Sequence, residues 1–155
     1  WRGGLMALSA KIQGRAARMR RLNELAPNAE KYAAEAKLEI VKEAADKISA
    51  DAPHDTGDYM SNIKGERQAD NPHLAPVTGR TSKDPDACAV YAPFIWRFLE
   101  FGTQPHENKG RFAGTQHPGT AAQPHIFDNW REFKPTAKKR INAAINRAVK
   151  EAQGK

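Results

Sequence analysis

The stretch Val90-Tyr91-Ala92-Pro93-Phe94-Ile95-Trp96-Arg97-Phe98-Leu99-Glu100-Phe101-Gly102-Thr103 decides how the chain is read. It concentrates eight large apolar or aromatic side chains and then stops at Glu-Phe-Gly-Thr. Upstream, Ala87-Cys88-Ala89-Val90-Tyr91 is a short apolar run that predicts a buried strand. Pro93 suits the first turn of a helix, so a short helix is expected over residues 93–101. Phe94, Ile95, Phe98, Leu99 and Phe101 cover most sides of that helix, and Gly102 is placed as its left-handed C-cap. One helix of this length cannot bury aromatics on every side. The stretch therefore belongs partly to the core and partly to an interface.

Downstream, residues 103–123 show no apolar period and hold several glycines, prolines and histidines. A loop this long inside a compact domain is uncommon and is commonly functional. It is read as a flexible arm that orders on assembly. From Pro124 the chain is expected to turn helical, with Pro135 dividing an aromatic segment from a last helix. Ile141, Ala144, Ile145, Ala148, Val149 and Ala152 form the apolar stripe of that last helix.

Upstream of the opening stretch, residues 27–49 carry the strongest helical period. Ala29, Tyr32, Ala36, Ile40, Ala44 and Ile48 make a narrow apolar face, and Pro27 suits its first turn. Residues 6–23 read as a separate basic helix. A capped turn at Asp55-Thr56-Gly57 is expected to lead into a short strand over residues 61–67. A further strand is expected near Leu74–Thr81. The fold class expected is α+β: a small, mostly antiparallel sheet packed by a long N-terminal helix and a C-terminal helix, with a long flexible loop. The expected division is a basic helical arm over residues 1–26 and one α+β domain over residues 27–155.

The 155 residues suffice for one domain with a real core, although only 39% are hydrophobic and 28% are charged. One cysteine, Cys88, rules out an internal disulfide and a multi-cysteine zinc site. It reads as a structural thiol, in keeping with a reducing compartment. No apolar run is long enough to span a bilayer. Trp1-Arg2-Gly3-Gly4-Leu5 lacks the apolar core of a secretory signal and is left out of the fold reasoning.

His106, His117 and His125 are spaced by eleven and eight, not by the two or four that place two imidazoles on one metal. They read as solvated or interface histidines. No nucleophile elbow and no phosphate loop is present. No enzyme activity, metal or cofactor is expected.

A formal net charge of +7 points instead to acidic partners or nucleic acid. Arg15, Arg18, Arg21, Lys109, Arg111, Lys138, Lys139 and Arg140 are the candidate contacts with DNA or an acidic protein. No sequence-reading motif accompanies them. A small basic nucleic-acid-binding module is the alternative reading of the whole chain.

The ordered elements resemble a known family. Thr56-Gly57-Asp58-Tyr59-Met60-Ser61-Asn62-Ile63 is similar to a Thr-Gly-x-Leu-x-x-Ser-Ile segment. Tyr91-Ala92-Pro93-Phe94 running into Glu100-Phe101-Gly102-Thr103 is similar to Tyr-Ala-x-Phe/Tyr-x-Glu-Phe-Gly-Thr. His117-Pro118-Gly119-Thr120 and Gln123-Pro124-His125-Ile126 follow in order before the last helix. Over roughly residues 27–153 the chain resembles the lambdoid-phage neck and tail-completion family, the gene-product-ten-like minor tail components. It departs from the pattern at Tyr59, Asn62 and His125, and in the added Trp96-Arg97-Phe98-Leu99.

The resemblance implies a virion structural protein at the head–tail junction or tail, made in the host cytoplasm. It implies a ring of identical subunits that meets other neck and tail proteins, with DNA passing nearby. On that basis the interface candidates are Phe94, Trp96, Phe98, Glu100, Phe101, Gly102, Thr103, His117, Phe127 and Trp130. Glu100 is expected to fix the turn by accepting hydrogen bonds from loop amides.

Overall fold

The computed structural model describes residues 15–154. Its elements are α1 (Arg15–Asp51), α2 (Asp58–Ser61), β1 (Lys64–Arg67), β2 (Cys88–Tyr91), α3 (Trp96–Phe101), β3 (His106–Glu107), β4 (Gln116–His117) and α4 (Phe127–Gln153). The fold is α+β: two long helices and two small antiparallel strand pairs, β1–β2 and β3–β4.

The helices α1 and α4 run antiparallel. Asn129 meets Asp51 at 2.8 Å at one end, Arg140 meets Glu43 midway, and Tyr32 donates to Glu151 at 2.6 Å at the other. Small residues fill the seam between the helices and their neighbours: Ala34, Ala44, Ala45, Ala137, Ala148 and Ala152 are all buried. Larger groups form two clusters. Ile48, Ile63, Val77, Trp96 and Ile126 make one with Ala45 and Ala52; Ile40 and Phe133 make the other with Ala44 and Ala137. Val90 packs against both and so joins the β1–β2 pair to each half of the core.

The strand β1 lies directly on α1. A Cβ built on Gly65 would sit 2.1 Å from the Val41 carbonyl oxygen, so no side chain fits there. That approach sets the register Lys64↔Tyr91 to Arg67↔Cys88 against a rigid helix.

Three expectations change. Pro27 does not open a helix, and Pro135 does not divide one; each lies inside a continuous helix. A helix-interior proline removes one amide donor and crowds the carbonyl four residues back. Both prolines are exposed, so the displaced carbonyls of Asn23 and Arg131 face water. The basic segment expected over residues 6–23 is therefore continuous with the long helix from residue 15 onward. Its earlier part, with Lys11 and Gly14, lies outside the described residues, as does the Arg15 side chain.

No strand forms over residues 74–81. Gly79, at φ 68°, closes a turn onto the Pro76 carbonyl, and one amide, Val77, bonds the Val90 carbonyl at 3.0 Å beside β2. The segment expected as a strand from residue 61 divides: Ser61 ends α2, Asn62 caps it, and pairing starts at Lys64.

Candidate functional site

The helix α3 is six residues long and two-faced. Trp96 and Glu100, one turn apart, point inward and are buried. Phe94, Ile95, Phe98 and Phe101 point outward, with 76%, 46%, 46% and 65% of their surface exposed. Phe94 and Phe98 meet edge to face at 5.8 Å, and Phe101 stacks on the half-buried Phe127 at 6.0 Å. An apolar crest of this kind is the feature a monomeric domain avoids and an assembling one uses.

Glu100 holds the site together. Its Oε2 accepts the amides of His125 at 2.8 Å and Ile126 at 3.0 Å, and its Oε1 accepts that of Phe127 at 3.1 Å. These amides lead into the first turn of α4, whose own N-cap, Ile126, has no side chain able to cap. Burial pushes the Glu100 carboxyl up, but the three amides outweigh it and the net shift is downward.

His125 lies beside this carboxylate and is 1% exposed. Its Nδ1 donates to the Gln123 carbonyl at 2.7 Å, because a carbonyl can only accept. In the neutral ring its Nε2 then accepts from the Tyr59 hydroxyl at 2.7 Å. Burial, and then the Glu100 charge, push the Tyr59 hydroxyl up to about 12. His125 is thus a satisfied core residue, not the solvated or interface histidine expected.

The segment after α3 is a hairpin. Gly102, at φ 71° and ψ 178°, turns the chain out of α3 in an extended left-hand geometry, not the αL cap expected. A Cβ there would lie 2.6 Å from the Thr120 carbonyl oxygen. Thr103 and Thr120 exchange both backbone bonds, at 2.9 and 3.1 Å. Beyond them β3 pairs with β4, and His106 stacks on His117 at 5.0 Å. A 3-10 turn, Gly110–Phe112, forms the tip, where Phe112 is 65% exposed between the exposed Lys109 and Arg111 region and Ala113.

The candidate interface residues therefore divide. Phe94, Phe98 and Phe101 stand on the surface. Trp96 and Glu100 are buried and cannot meet a neighbour. Gly102, Thr103, His117, Phe127 and Trp130 are partly covered by the chain itself.

The basic candidates do not form one patch. Arg18 and Arg21 are exposed at the start of α1, beyond the end of α4. Lys138 and Lys139 are exposed on α4 beside an Arg140 already engaged by Glu43. Glu43 lies twenty-two residues along α1 from Arg21, about 33 Å at 1.5 Å per residue. Lys109 and Arg111 are at the hairpin tip.

Glu100 accepts amides of the following segment as expected, but the extension of this arrangement through His125 to Tyr59 was not foreseen from sequence. The one signal of the arrangement is the absence of Ser, Thr, Asp or Asn immediately before α4, which leaves that helix to be capped from a distance.

Among the described residues, no group of three His, Cys, Asp or Glu side chains is placed to hold a metal. Cys88 is half-buried, with its thiol pushed up by burial. Among the described helices, none is long and apolar enough to cross a membrane.

A small α+β domain that projects aromatic side chains and a hairpin suits a structural component. Residues 16–102 match the family model HK97-gp10-like, described as "Bacteriophage HK97-gp10, putative tail-component". The match takes in more than half of the chain, which therefore belongs to this family of phage tail components, a structural class and not a known class of enzyme. The match ends at Gly102, before the hairpin and α4, whereas the resemblance in the sequence ran on to residue 153. No curated protein and no solved structure matches the chain.

Proposed function

We propose that this tail component is a ring-forming subunit of the phage neck, joining head to tail or completing the tail. The carrying observation is the exposed crest of Phe94, Ile95, Phe98 and Phe101 at the base of the hairpin. A crest and an arm on different parts of one surface suit heterologous contacts, in which each copy gives one face and receives another. Such contacts close into a ring when the rotation between copies divides a full turn.

The distribution of charge supports a structural role over a nucleic-acid-binding one. Arg140 pairs with Glu43, Lys37 with Asp84 and Arg147 with Glu151. The remaining exposed cations are scattered over α1, β1, the loop that holds Arg80 and Lys83, α3, the hairpin and α4. A lumen that tolerates DNA needs no more than this, whereas tight binding by a monomer needs a contiguous patch.

The test is quantitative mass spectrometry of purified particles with imaging of the neck. The chain is expected in a small fixed copy number at the head–tail junction. Particles that lack it, or that carry it along the whole tail in tube-protein numbers, would refute the assignment.

A further inference from the structure

A second surface lies on the other side of the crest. Asp55, Thr56, Gly57, Asp58, Tyr59, Asn62, Pro93 and Ile95 line an open pocket of about 290 Å³. Its floor is apolar, from Pro93, Ile95 and the Tyr59 ring, and its rim carries two exposed carboxylates, Asp55 and Asp58. No hairpin residue contributes to it. The hairpin tip carries the complementary chemistry: the large exposed ring of Phe112, with Arg111 and Lys109 next to it.

We infer that the Asp55–Asp58 pocket is the socket for the hairpin tip of a neighbouring copy of this chain, with Phe112 seated on Pro93 and Ile95, and Arg111 and Lys109 facing the two carboxylates. This rests on the ring-subunit reading and names its contact.

Three observations select a second copy over another occupant. Aromatic and cation on the tip match apolar floor and anion on the rim, and both surfaces belong to this sequence. The hairpin closes on itself at Thr103 and Thr120, so its tip is held out as a fixed projection. Its eighteen residues, as two paired arms, reach at most about 25–30 Å at 3.3 Å per residue.

The contact also explains why the crest lies where it does. The exposed Ile95 belongs both to the crest and to the socket floor, so an incoming tip covers the edge of the crest as it docks.

The experiment uses the full chain in two differently tagged versions, one carrying Ala113→Cys, which keeps the Phe112 ring, and the other Thr56→Cys, both with Cys88→Ser. Mixed under mild oxidation, they should form the hetero-tagged disulfide pair far faster than either forms a pair with itself. In parallel, Arg111→Glu with Lys109→Glu, and Asp55→Lys with Asp58→Lys, should each weaken self-association by about tenfold or more in sedimentation velocity. Mixing the two charge-reversed versions should restore the contact between unlike copies. Circular dichroism melts on each variant separate lost association from lost folding.

If the crosslink does not form above the rate of a control pair, or the charge swap rescues nothing, the inference is overturned. If socket variants block incorporation into particles while tip variants do not, the occupant is a different protein, and the inference is again overturned. In either case the copy number and position in particles still decide the neck reading on their own.

Discussion

The Glu100 carboxylate accepts the backbone amide of His125 at 2.8 Å across twenty-five positions of sequence. One side chain from the short aromatic helix thus does for α4 what an N-cap residue ordinarily does from within. This bond and its two companions tie the short aromatic helix to the start of the C-terminal helix.

Replacing Glu100 by Ala leaves three amides near the start of α4 without their acceptor, in a site already closed to water. A loss of roughly 2–4 kcal/mol is expected, well above an exposed cap. Glu100→Gln keeps one acceptor oxygen and should lose less. Chemical denaturation of the two variants beside the parent chain checks both the size and the order.

The same carboxylate makes stability depend on acid. Its burial acts upward, but the amides hold its folded value below the ordinary carboxyl value. Its contribution is then complete above the ordinary value and lost as pH falls through the lowered one. Thermal melts at descending pH should show this loss in the parent chain and not in Glu100→Gln.

At the alkaline end the sign reverses. The Tyr59 hydroxyl, which ionises near 10.0 when free, is pushed up to about 12 by burial and then by the Glu100 charge. The neutral phenol contributes stability that is full below the free value and lost as pH rises through the folded one. Ultraviolet titration of the parent against Tyr59→Phe should show that the step at about 12 is missing from the variant, while Tyr32 and Tyr91, which are also pushed up, still titrate.

Gly65 and Gly110 separate close approach from backbone strain. Gly65→Ala forces a methyl group into the Val41 carbonyl and should cost more than about 3 kcal/mol, or prevent folding. Gly110→Ala has open space and only a positive φ to oppose it, so about 1–2 kcal/mol is expected. Equal losses at the two positions would contradict the helix–strand contact described here.

The four-residue steps of Ile40, Ala44 and Ile48 made the middle of α1 legible, because one packed face imposes its period on the sequence. The run from Cys88 to Tyr91 was legible as a strand because it is bounded on both sides. Helix ends were not. Pro27 and Pro135 look like boundaries, yet the face toward solvent lets water take the displaced carbonyls. The aromatic run held more apolar groups than one short helix can bury, but could not say which side chains turn inward. That depends on Ile126 and Phe127, which arrive from another part of the chain. The fate of His125 was hidden for the same reason, since a histidine before a helix looks the same whether water or a tyrosine hydroxyl receives it.

Thr103 and Thr120 have one further consequence. They close the neck of the hairpin, and the hydrogen bonds described beyond them run between hairpin residues alone. The arm is in that sense a plug-in part: its length and tip chemistry can be exchanged without disturbing a core that ends at the clasp. A lineage of such proteins could then change neighbours by rewriting some sixteen residues, keeping the helices that carry them.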